Sequence, residues 1–118
     1  MTQVNIKRVY DEPSEQDGYR VLVDRLWPRG MKREYLKYDT GAKEVTPSND
    51  LRKWFHADIE KRWGTFADMY QKELNESDAA KAFIDKIKAY SKVTLLYASK
   101  EQERNHANVL KHYLNTHL

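Results

Sequence analysis

The segment Asp17-Gly18-Tyr19-Arg20-Val21-Leu22-Val23-Asp24-Arg25-Leu26-Trp27-Pro28-Arg29-Gly30 carries a turn signal, a short strand and a charged loop in succession. Its apolar triplet Val21-Leu22-Val23 does not alternate with polar residues, which is the pattern of a strand covered on both faces, as at the centre of a parallel sheet. In open α/β sheets ligands bind beyond the carboxyl ends of the strands, and the loop from Asp24 to Gly30 would lie there. Two guanidiniums, Arg25 and Arg29, stiffened by Pro28, suit a phosphate or carboxylate.

Outward from this segment the chain follows an α/β pattern. Val4 to Tyr10 is expected as a first strand, with Val4 and Ile6 on one face. The connection Asp11–Gly18 holds Pro13 and Asp17-Gly18, and is short for a parallel crossover, which usually needs a dozen or more residues. The first two strands are therefore either antiparallel neighbours or joined by an abbreviated connection. Residues 31 to 46 are the hardest to place: Tyr35, Leu36 and Tyr38 are candidates to cover the core, and Lys43 to Thr46 for a short strand. Ser48 or Asn49 caps a helix bearing Leu51, Trp54 and Phe55 on one face. Ile59, Trp63, Phe66, Tyr70 and Leu74 keep helical spacing over four turns, although Gly64 interrupts the apolar pattern. Ser77 caps a third helix with Ala80, Phe83, Ile84 and Ile87 inward. Val93 to Ala98 is a second buried strand. A last helix is expected from about Gln102, with His106, Leu110, Tyr113 and His117 on its inner stripe and Ala107 and Leu114 beside them. The fold class is α/β, one small domain over residues 1–118, with helices on a short, mostly parallel sheet and a helix after the last strand.

Composition narrows the function classes. The chain has 118 residues, enough for one core without disulfides. Its 21 Lys and Arg against 18 Asp and Glu give a charge of +3, too weak a bias to indicate nucleic acid by itself. There is no cysteine, which removes thiolate-metal and cysteine-nucleophile chemistry. No apolar signal core opens the chain and no membrane-length apolar run follows, so a cytoplasmic location is expected and no membrane partner. No zinc-type spacing, phosphate loop, dinucleotide fingerprint or nucleophile elbow occurs, and neither a metal nor another cofactor is expected.

Placed side by side and parallel, the two buried strands would bring Asp24, Arg25 and Arg29 near Ser99, Lys100, Asn105 and His106. The last helix would add its positive dipole end. Arg25 and Arg29 are candidates to clasp an anion, with Lys100 as a point charge and Asp24 as a base. Asp24 could equally be a tether paired with Arg8, Arg20 or Arg25. Arg52 and His56 stand at i and i+4 on one helical face, where His56 is either a proton-transfer group or a surface histidine. His106 is either a core histidine bonded to a carbonyl or part of the site, and Trp27 is expected to be a core lid.

The chain also resembles a family. Lys7-Arg8-Val9-Tyr10, the segment from Asp17 to Gly30, Pro47-Ser48 with Leu51-Arg52-Lys53 and Phe55-His56, and Leu95 to Lys100 with Asn105-His106-Ala107 resemble the YeaO-like branch of the domain-of-unknown-function family numbered 488. The resemblance implies a small bacterial cytoplasmic α/β protein, and the family is one without an established activity. Longer relatives carry a helix between the first two strands, which implies that these run parallel. Relatives also carry cysteines where this chain has Tyr97 and Asn105, and a tryptophan where it has Gly41, so chemistry resting on those groups does not transfer. A tetrapyrrole methyltransferase label on some relatives finds no methyl-donor loop here.

Two function classes follow. One is a ligand-binding domain or metal-independent hydrolase or transferase for a small phosphorylated or carboxylated molecule, held by Arg25, Arg29, Arg52, Ser99, Lys100 and Asn105. Asp24, His56 and His106 would then be the candidate proton-transfer groups. The other is a nucleic-acid-binding or regulatory module using the basic, aromatic segment 24–38, where Trp27, Tyr35 and Tyr38 could stack on bases. Neither reading sets an oligomeric state.

Overall fold

A computed structural model describes residues 2–118. Strand β1 (Gln3–Arg8) leads through a 3-10 turn at Glu15–Asp17 into β2 (Tyr19–Leu22), and a long loop reaches the two-residue β3 (Thr40–Gly41). A second 3-10 turn, Lys43–Val45, precedes helices α1 (Asn49–His56), α2 (Ile59–Asn75) and α3 (Asp78–Ile87), then β4 (Lys92–Tyr97) and α4 (His106–His117). The four strands are all parallel, in the order β1-β4-β2-β3. Val21 lies opposite Leu95, and Val4 opposite Val93.

The sheet's two faces are covered differently. Val4, Val21, Val23, Val93, Leu95 and Tyr97 point to one face, where Leu51, Phe55, Phe66, Tyr70, Phe83, Ile87 and Leu110 complete the main core. All four helices pack on this side. On the other face Leu22 and Leu96 are covered by Val9 and Leu36, with Trp27 and Met31 against them, so loop rather than helix seals it. Strand periodicity explains the division: Val21 and Val23 take one face, Leu22 the other.

Strands β1 and β2 are parallel but not adjacent; both flank β4. The expected alternative of antiparallel neighbours is excluded, and the abbreviated connection is the one found. It is fastened by Asp17, a buried carboxylate that takes Lys7 Nζ at 3.0 Å, the Ser14 N–H at 2.9 Å and the Arg20 guanidinium. The Asp17 carbonyl accepts Thr94 Oγ1 at 2.7 Å, which ties the connection to the central strand. Arg20 is thus committed to Asp17, and through Nε to the Lys37 carbonyl, rather than to Asp24.

Four further expectations shift. Lys43–Val45 is a 3-10 turn, and the short strand falls earlier, at Thr40–Gly41, where Ala42 N–H still reaches the Leu22 carbonyl at 2.9 Å. Tyr35 and Tyr38 are exposed, leaving Leu36 alone of that trio to cover the core. Helix α4 begins at His106, not Gln102, because Asn105 caps it through Oδ1 to the Asn108 N–H at 2.9 Å. Its buried stripe is Ala107, Val109, Leu110, Tyr113 and Leu114, while His117 is exposed and bonded to the Tyr113 carbonyl. Ser48 and Ser77 cap α1 and α3 as expected, and Gly64 sits inside an unbroken α2.

Two consequences are measurable. Gly18 has φ +66°, and a Cβ there would stand 2.4 Å from the Lys92 carbonyl oxygen. Gly18→Ala is expected to cost about 1–3 kcal/mol in urea unfolding, from strain and displacement of the β4 backbone. Burial alone would raise the Asp17 carboxyl, but the Ser14 amide, Lys7 and Arg20 together hold it below its ordinary 3.8. Its contribution is full above pH 3.8 and is lost as pH falls through the lower native value. The stability gap between the wild type and Asp17→Asn should therefore narrow in acid unfolding over that range.

Candidate functional site

The carboxyl ends of β2 and β4 open into a cleft of about 200 Å³ bounded by the loop after each strand and by α1. Asp24, Arg25, Arg52, His56, Ser99, Asn105 and His106 all line it. Seven of the nine residues singled out in the sequence therefore come together. Arg29 and Lys100 are exposed and do not line the cleft. The Arg29 carbonyl instead accepts the Tyr10 hydroxyl at 2.8 Å. Arg104, Leu26, Thr46, Pro47, Phe55, Ile59 and Phe66 complete the lining.

Asp24 is a clamp. One carboxylate oxygen stands 3.0 Å from His106 Nε2, and the other accepts the Ala98 N–H at 2.9 Å. His106 Nε2 is also 2.7 Å from the Val23 carbonyl. Two oxygen acceptors at one ring nitrogen require that nitrogen to carry a proton. This set joins the ends of β2 and β4 to the first turn of α4. His106 bonds a carbonyl, as a core histidine would, and also lines the cleft.

Helix α1 brings Arg52 and His56 to the cleft. Its start is fixed by Ser48, whose N–H and hydroxyl both donate to Glu73 of α2, at 3.0 and 2.7 Å. The same hydroxyl accepts the Leu51 N–H. Tyr70 of α2, with its hydroxyl on the Val45 carbonyl, holds the preceding turn, and burial drives the ionisation of that phenol far upward.

Electrostatically the cleft is under-compensated. Arg25 donates from Nη2 to the Pro47 carbonyl at 3.3 Å, and its Nε is buried without an acceptor. Arg52 makes no side-chain hydrogen bond or ion pair among the described residues, and its Nε is likewise buried and unpaired. Arg104 has only Glu60, an exposed side chain at 3.9 Å. Three guanidiniums thus meet one carboxylate, Asp24, whose oxygens are already engaged. Unpaired buried donors cost roughly 1–3 kcal/mol each, more when charged, so the resting cleft favours an incoming acceptor. His56, on the rim, is pushed below its ordinary 6.5 by desolvation in the cleft, then by Arg52 and His106, against a smaller opposing pull from Asp24.

Among the described residues no three His, Asp or Glu side chains gather as a metal-binding group. Ser99 Oγ accepts the Glu101 N–H, and Thr46 Oγ1 donates to the Lys43 carbonyl, so neither hydroxyl is paired with a histidine base. Trp27 is partly buried against the second face and donates Nε1 to the Met31 carbonyl, as expected of a lid.

Because His56 holds its proton less readily than a free imidazole, its ring protons should titrate in NMR with a midpoint below 6.5. In Arg52→Ala that midpoint should move up.

The family model DUF488-N3i, described as "Inactive DUF488-N3 subclade", matches residues 3–118. The chain is 42% identical over 113 residues to "Uncharacterized protein YeaO" of Escherichia coli (strain K12), covering 96% of this chain and 97% of that protein. It is also 42% identical over 114 residues to "Uncharacterized protein Rv3073c" of Mycobacterium tuberculosis (strain ATCC 25618 / H37Rv), covering 97% and 95%. No solved structure gives a significant match. With a family match from Gln3 to the last residue and relatives aligned along almost their whole length, the chain belongs to the DUF488-N3i family.

Proposed function

We propose that the cleft is a binding site for a small phosphorylated or carboxylated molecule, held chiefly by Arg25 and Arg52. The observation that carries this reading is the pair of guanidiniums with buried Nε atoms and no carboxylate partner, both lining one cleft. Arginine forks suit planar oxyanions, and charge-assisted bonds are the stronger kind. The amino end of α4 adds its dipole. Ser99 and Asn105 shape the wall, with Asn105 committed to capping.

Binding without turnover is the form best supported. Asp24 is occupied on both oxygens, and neither hydroxyl of the cleft is paired with a base. The family's description as inactive is in keeping with this. Hydrolysis or group transfer would need His56, the free neutral imidazole on the rim, to activate a water. Among the described residues no helix is long and apolar enough to cross a membrane.

A second reading has its own observation. Arg29, Lys32, Arg33 and Lys37 are exposed on the loop beside the cleft, with the Tyr35 ring 67% exposed among them. Such a surface suits single-stranded nucleic acid, with Tyr35 as a stacking platform.

Calorimetric titration with inorganic phosphate, glycerol 3-phosphate, malate and a short oligonucleotide separates the readings. The expected result is saturable binding of a small anion, weakened at least about tenfold in Arg25→Ala and in Arg52→Ala, both still folded. Small-anion binding indifferent to both substitutions, or absent, would overturn it. Oligonucleotide binding that falls steeply with added salt would transfer the function to the loop. Release of phosphate from glycerol 3-phosphate, lost in His56→Gln, would restore the hydrolase reading.

A further inference from the structure

The cleft's walls are not those of a site for a bare inorganic ion. Beside the cations, Pro47, Phe55, Ile59 and Phe66 give the cleft a largely apolar lining, and the rings of Phe55 and Phe66 stack 4.0 Å apart at 12°. Leu26, next to Arg25, lines the cleft and is 64% exposed. An apolar side chain held in water at the rim of a cleft gains from being covered.

We infer that the ligand is amphipathic: one phosphate or carboxylate carried on a compact apolar body of about the size of a single ring. The inference rests on the anion reading and adds the chemistry of the remainder of the ligand. The anionic group lies with Arg25 and Arg52, and the apolar body lies on the Phe55–Phe66 lining with Leu26 closing over it. Pro47 joins the two parts, because it lines the cleft and its carbonyl accepts from Arg25 Nη2. Leu26 is then a specificity-determining residue. Removing a few tens of Å² of apolar surface from water is worth on the order of tenfold in affinity.

The test compares phenyl phosphate, glycerol 3-phosphate, inorganic phosphate and phenol on the wild type and Leu26→Ser. Leu26 is exposed, so its substitution leaves the fold intact. Phenyl phosphate is expected to bind about tenfold more tightly than either glycerol 3-phosphate or inorganic phosphate. That preference should shrink at least about threefold in Leu26→Ser. Equal affinity for the three phosphates, all lost in Arg25→Ala, would overturn the apolar body and leave the anion site standing. Phenol binding as tightly as phenyl phosphate, indifferent to Arg25→Ala, would overturn the anion site and with it an amphipathic ligand. Silence from all four probes would overturn both.

Discussion

A ten-residue connection, 9–18, has to carry the chain from the carboxyl end of β1 to the amino end of β2 with β4 lying between them, and the Asp17 carboxylate holds it there. Lys7 from one flanking strand and Arg20 from the other meet on this side chain, above Thr94 of the strand between them. Remove that junction and two cations are left facing each other across a sheet whose second face has no helix to cover it. The parallel order of β1, β4 and β2 then loses its cross-tie. The cleft depends on this order, because only parallel β2 and β4 deliver Asp24 and Ser99 to the same edge.

The strands were legible in the sequence because burial on both faces leaves unbroken apolar runs, and both such runs are central strands. The connection was harder to read. A dozen-residue expectation presumes strands of ordinary length. Here Arg8 stands level with Tyr97 and Tyr19 with Val93, so the chain returns only about four residues along the sheet. With strands ~4.8 Å apart and ~3.3 Å per residue, the diagonal is roughly 16 Å, well within the ~33 Å that ten residues can span. Helix α4 was placed too early because Gln102 and Glu103 are good helix formers, whereas the chain spends residues 101–105 on a turn closed by Asn105. Local capping overrode propensity.

The site was legible to the extent that it follows from strand ends. Asp24, Arg25, Ser99, Asn105 and His106 are all adjacent in sequence to a buried strand or the helix after it. Arg52 and His56 were found by their i, i+4 spacing, although nothing local showed that α1 would turn this face to the cleft. That follows from Glu73, a residue of α2 whose role in holding Ser48 is invisible without the fold. Arg29 and Lys100 have the chemistry for the site but not the placement: Arg29 lies in a turn, its carbonyl held by Tyr10, and both side chains are exposed away from the cleft lining. Arg104 escaped notice because a lone arginine before a cap carries no pattern.

The long loop between β2 and β3 has two duties that are usually given to separate parts of a protein. Leu36, Trp27 and Met31 seal one side of the sheet, while Arg25 and Leu26, a few residues away, form part of the cleft wall. A helix in that position would hold its shape by its own hydrogen bonds; this segment holds its shape through the side chains it buries. Local opening there would expose Leu22 and Leu96 and dismantle the cleft wall in a single event. Occupancy of the cleft and closure of the sheet are therefore linked quantities. A bound molecule would slow amide hydrogen exchange in the β2 and β4 backbones beneath the loop.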